Sequence, residues 1–119
     1  MKTLSTITAV LLSIVSLYAV AEGDAAKGKV IYDQMCAGCH GFRGDGGEGH
    51  RGGFSPHVGT LANKEYLDSL PDEYLITIIK KGGAYMGKIA TMPAWEHRLS
   101  DEDVRDIVAH IRTFSGGAH

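Results

Sequence analysis

With 12 Lys and Arg against 14 Asp and Glu, the 119-residue chain carries a formal charge of −2. No concentrated basic stripe accompanies that balance, which argues against nucleic-acid binding. The length leaves room for one domain with a small core.

The amino terminus stands apart. Lys2 precedes an apolar stretch from Val10 to Leu17, and Ala19-Val20-Ala21 offers small residues at the two positions a signal peptidase reads. Residues 1–21 are therefore expected to be a cleaved secretory signal peptide. An uncleaved anchor competes, since Leu4 to Ala21 is nearly long enough to span a bilayer, but its Ser and Thr content and its A-x-A end favour removal. Cleavage after residue 21 of 119 would leave 98 residues with 11 basic and 14 acidic side chains, a formal −3.

Asp24 is placed to cap a first helix running toward Met35, with Gly28, Ile31 and Met35 on one face. That helix leads into Cys36-Ala37-Gly38-Cys39-His40, which contains the only two cysteines of the chain. In a C-x-x-C-H segment the thiols lie about one turn apart and can add across the two vinyl groups of a haem, with the histidine beneath the iron as an axial ligand. A disulfide between them would close a very small loop and gain little entropy. Zinc would want two further ligands, and His50, His57, His97, His110 and His119 form no H-x₃₋₅-H pair. A thioredoxin-like pair should follow a strand in a βαβ pattern, and none is visible. One covalently attached haem c with its iron is the expected cofactor. Attachment outside the cytoplasm agrees with an exported chain, so the periplasm of a Gram-negative bacterium is the expected location, with a thylakoid lumen as the alternative.

Residues 41–53 hold seven glycines in thirteen positions and read as a loop. It is either a solvated surface loop or backbone lying close against a flat ring. Asn63 is set to cap a short helix over Lys64 to Ser69, and Pro71 to open the next at its first turn. Leu75, Ile78 and Ile79 form the buried stripe of that helix, with Tyr74 alongside; Lys80 and Lys81 complement its carboxyl end and Gly82-Gly83 stop it. Ser100 followed by Asp101, Glu102 and Asp103 opens the last helix. Its apolar face is Val104, Ile107, Val108 and Ile111, and it runs to about Phe114. With no convincing strand alternation, the domain reads as all-α with long irregular loops, its helices packed around the haem.

The second axial ligand decides whether the iron is open to small molecules or saturated. It should come from a segment well removed from His40, and the irregular stretch from Gly82 to Leu99 qualifies. Met92 is preferred, because Pro93 restricts it to extended backbone and helps present the thioether. His97 is the next candidate, then Met86, which sits among glycines.

Taken together, Gly28 and Tyr32, Cys36-Ala37-Gly38-Cys39-His40-Gly41, Met92-Pro93-Ala94-Trp95 and Leu99 to Val104 resemble the class I c-type cytochromes, small monohaem electron carriers. The resemblance spans essentially residues 22–119. It implies thioether links at Cys36 and Cys39, His40 as proximal and Met92 as distal ligand, and a crossing of the first and last helices at Gly28. In that family the matching last-helix residue is usually aromatic; here it is His110. A proline carbonyl usually accepts the proximal histidine's other N–H, and Pro56 is the candidate. Trp95 and Tyr66 are read as aromatic packing rather than propionate contacts. Lys80, Lys81 and Lys88 could steer an acidic partner or serve only as solvated helix-end charges.

The expected function is a monomeric periplasmic carrier shuttling single electrons between respiratory partners, a redox donor and an acceptor met transiently, and not an enzyme. No nucleic acid and no stable membrane anchor after leader cleavage are expected. Two alternatives stand beside it: an electron-transfer subunit of one periplasmic enzyme, and a haem-based gas-ligand binder with a labile distal methionine.

Overall fold

The computed structural model describes residues 22–46 and 60–115; the leader, residues 47–53 of the glycine-rich loop and Pro56 lie outside the described residues. Five helices follow in order: α1 (Ala25–Met35), α2 (Ala37–His40), α3 (Lys64–Ser69), α4 (Asp72–Lys81) and α5 (Asp101–Arg112). Two 3₁₀ turns, Ala84–Met86 and Thr113–Ser115, complete them, and no strand occurs among the described residues.

Local chemistry sets the boundaries. The Asp24 carboxylate accepts from the N–H groups of Ala26 and Lys27 at 2.9 and 3.2 Å. Asn63 accepts from Tyr66 N–H at 3.0 Å, and Ser100 and Asp103 form a reciprocal capping box on α5. Pro71 falls one position earlier than the sequence pattern suggests. Its ψ of 155° keeps it extended, so it is the N-cap of α4 and not its first residue.

The core centres on a seam between α1 and α5, completed by Leu67 of α3 and by Leu75 and Ile79 of α4. A Cβ on Gly28 would lie 1.8 Å from the carbonyl oxygen of Asp106, so the two backbones touch where only glycine fits. Asp106, buried in that seam, accepts from Asp24 N–H at 2.6 Å across 82 residues of sequence. The expected α1 face shifts accordingly: Gly28 and Tyr32 are buried, while Ile31 and Met35 are half-buried at its margin. All four apolar α5 positions, Val104, Ile107, Val108 and Ile111, are buried. Burying side chains of this size contributes roughly 1.5–3 kcal/mol each.

Arg112 ties the carboxyl end of α5 to the turn joining α3 and α4. It donates from Nη1 to the Leu67 carbonyl at 2.7 Å, from Nη2 to the Leu70 carbonyl at 2.5 Å, and from Nε to Asp72 at 2.8 Å. Two carbonyls at the end of α3 thereby gain a charged donor. Among the described residues, no helix is long and apolar enough to cross a membrane.

Candidate haem-binding site

The chain passes from α1 into α2 without a gap, because Cys36 ends one helix and begins the other. Its N–H donates to the Tyr32 carbonyl at 2.8 Å, and its own carbonyl accepts from His40 N–H at 3.0 Å. One tight turn therefore carries Cys36, Cys39 and His40. Gly41, at φ 79°, turns the chain out of it. The Tyr32 hydroxyl holds that exit by donating to the Gly41 carbonyl.

Beside this turn lies a cavity of about 1020 Å³. That is at the top of the range of ~300–1,000 Å³ usual for cofactor sites. Cys36, Cys39, His40 and Met92 all line it, together with apolar side chains of α4 and α5 such as Leu75 and Ile107. The thiols are unpaired, Cys36 half-buried and Cys39 exposed. Burial, with a smaller effect of neighbouring Cys39, pushes the Cys36 thiol up to about 11. Burial also holds His40 below the ordinary histidine range, favouring the neutral imidazole that can ligate a metal. Its Nδ1 is buried without a hydrogen-bond partner among the described residues. Two thiols one turn apart, a neutral imidazole, a thioether and an apolar chamber of this size are a donor set that fits haem c.

The distal candidates separate. Met92 is half-buried and lines the cavity, whereas Met86, on the 3₁₀ turn, and His97, exposed, do not line it. The lysines separate as well. Lys80 pairs with Asp101 at 2.7 Å and Lys81 with Glu96 at 2.8 Å, while Lys88 lines the cavity and has no ion-pair partner among the described residues. Trp95 packs against the core and lines the cavity; Tyr66, 42% exposed, lines it without belonging to the core.

His110 takes the aromatic role its position calls for. It is buried, with its ring edge-on to Tyr32 and to Phe114, both at 5.0 Å between centroids. Asp106 and Arg112 were not singled out from the sequence. A charged residue in an amphipathic helix reads as a solvated one, and their partners lie 40 to 82 positions away.

Residues 23–111 match the family model described as cytochrome C oxidase, cbb3-type, subunit III. The chain belongs to that family. It is 34% identical over 94 residues to the cbb3-type cytochrome c oxidase subunit FixP of Bradyrhizobium diazoefficiens, covering 79% of this chain and 29% of the relative. Against the subunit CcoP of Azospirillum sp. the identity is 31% over 101 residues, covering 83% and 31%. The chain thus spans about 30% of the length of these two subunits. Cytochrome c-554(547) of Halothiobacillus neapolitanus is matched at 34% identity over 94 residues, covering 76% of this chain and 97% of the relative.

Family membership makes this a c-type cytochrome domain with covalently bound haem c, and its chemistry electron transfer. Haem c supplies a one-electron couple at iron. The protein would supply enclosure: apolar walls such as Leu75 and Ile107 would keep water from the ring, and the Tyr32–Gly41 hydrogen bond holds the exit of the turn that carries His40.

Proposed function

We propose that this chain is an exported electron carrier, not an enzyme, that moves single electrons between redox proteins of the periplasm. In this reading residues 1–21 are removed on export and residues 22–119 form one monohaem domain. Cys36 and Cys39 hold the haem through thioether links, His40 is the proximal ligand and Met92 the distal one. The carrying observation is the convergence of these four residues on one cavity that Met86 and His97 do not line. The unpartnered Nδ1 of His40 supports an acceptor from outside the described residues, and the Pro56 carbonyl is our assignment. Thioether ligation and apolar enclosure both favour ferrous iron, so the midpoint potential is positive.

Met92→Ala tests the ligation. The weak long-wavelength charge-transfer band of a thioether-bound ferric haem should be present in the wild type and absent in the variant. A band that survives removes Met92 from the site. Prompt carbon monoxide binding by the ferrous wild type at neutral pH would count for a gas-ligand binder and against a saturated carrier.

A second reading has its own support. The chain matches about a third of subunits named for a cbb3-type oxidase, so the domain could serve one larger complex. Copurification of a single stoichiometric partner would favour that assignment over free diffusion.

A further inference from the structure

The segment that carries Met92 is closed on itself at one residue. Gly83 N–H donates to the Met92 carbonyl at 3.0 Å, and the Gly83 carbonyl accepts from Met86 N–H at 3.0 Å and Lys88 N–H at 2.9 Å. Three backbone bonds therefore meet at Gly83 and bring the far end of the loop back to the end of α4. A Cβ at this position would lie 2.2 Å from the Ile89 carbonyl oxygen, 3.3 Å from its carbon and 3.4 Å from Met92 Cβ. Gly83 itself has φ −63° and ψ −42°, a conformation any residue adopts. What the position demands is space, not backbone freedom. Gly82 and Gly87 differ, since their φ values of 86° and 68° make glycine the favoured residue on conformational grounds.

We infer that Gly83 is a positioning residue for the Met92 thioether, its missing side chain admitting the Ile89 carbonyl and so closing the loop that holds Met92 in the cavity wall. The inference rests on Met92 being the distal ligand. An alanine here forces the Ile89 carbonyl outward, and Met92 shares the knot through both its carbonyl and its Cβ. A ligand held loosely by its loop leaves the iron more often.

The test is made on holoprotein with Gly83→Ala, Met92→Ala and Val104→Ala. Val104 is fully buried and does not line the cavity, so it reports a general loss of stability. Gly83→Ala should lose most of the thioether charge-transfer band and bind carbon monoxide about tenfold more tightly or better, since access scales with the fraction of open iron. Val104→Ala should lower the unfolding midpoint and keep the band. If Met92→Ala retains the band, the ligation reading falls and the inference with it. If Met92→Ala loses the band while Gly83→Ala keeps it with wild-type carbon monoxide affinity, the inference alone is overturned. Should Gly83→Ala give no holoprotein, amide exchange carries the test, because coupling is reciprocal. Protection of the Gly83 and Lys88 amides should fall about tenfold in Met92→Ala relative to wild type, and unchanged protection would refute the role.

Discussion

The hydroxyl of Tyr32 donates a 2.7 Å hydrogen bond to the carbonyl of Gly41, one residue beyond His40. It links the buried face of α1 to the exit of the C-x-x-C-H turn. Burial above all, with Cys36, Asp45 and Asp33 adding to it, pushes the phenol well above its ordinary value, so it stays a donor throughout the working pH range. Tyr32→Phe should cost about 1–2 kcal/mol, since the Gly41 carbonyl loses its donor inside the fold. Guanidinium unfolding of the ferric holoprotein measures it, and an unchanged midpoint would show that the bond contributes nothing.

Gly28 is the tightest point of the α1–α5 seam, where an added Cβ would sit 1.8 Å from a backbone oxygen. Neither helix can yield without opening the crossing. Gly28→Ala should destabilise by about 3 kcal/mol or more, at the upper end for overpacking, and lower the yield of holoprotein. Wild-type stability in that variant would mean that the helices are not in contact there.

Arg112 satisfies two carbonyls and a carboxylate at once. Arg112→Ala should lose about 2–3 kcal/mol, the usual scale for charge-assisted bonds to groups left unpaired. Arg112→Lys should recover less than half of it, because an ammonium cannot span the same three acceptors. Wild-type stability in either variant would sink the argument.

Burial holds His110 below the ordinary histidine range, with Asp33 opposing that effect and Lys29 reinforcing it. The folded protein therefore binds this proton less readily than the unfolded chain. The stability carried by the neutral ring is complete above the unfolded pKa of about 6.5 and is lost as pH falls through the lower folded value. His110→Phe should flatten the pH dependence of the unfolding free energy from about pH 7 downward. Superimposable profiles for variant and wild type would exclude His110 as its source.

The cavity of about 1020 Å³ is large for so small a domain. Chain produced without haem, as with Cys36→Ser/Cys39→Ser in a host that cannot attach it, should lack a cooperative thermal transition, whereas holoprotein should show one. Calorimetry decides between them. A sharp transition in the haem-free chain would show that the helices sustain the fold alone.

Much of this arrangement was legible in the residue order. Periodicity and capping chemistry located α3, α4 and α5 because each amphipathic face meets a single core, and Asn63 and Ser100 cap as their side chains predict. The C-x-x-C-H turn needed no tertiary information at all. The following proline favours Met92 over Met86 as the candidate, and of the two only Met92 lines the cavity. Contacts between distant segments were not legible. Asp106 looks like a surface acid until Asp24 is brought beside it, and Arg112 like a surface base until α3 ends against it. The α1 face was legible only in part for the same reason. Spacing alone grouped Ile31 and Met35 with Gly28, while the crossing with α5 selects Gly28 and Tyr32.

The Asp24–Asp106 bond joins the opening of the domain to its last helix. Closing so long a span costs chain entropy before any contact across it is gained. Until α5 docks, the buried face of α1 at Gly28 and Tyr32 lacks the surface it packs against. Proteolytic loss of α5 would unmake the haem chamber, because Ile107 and Ile111 leave its wall with that helix.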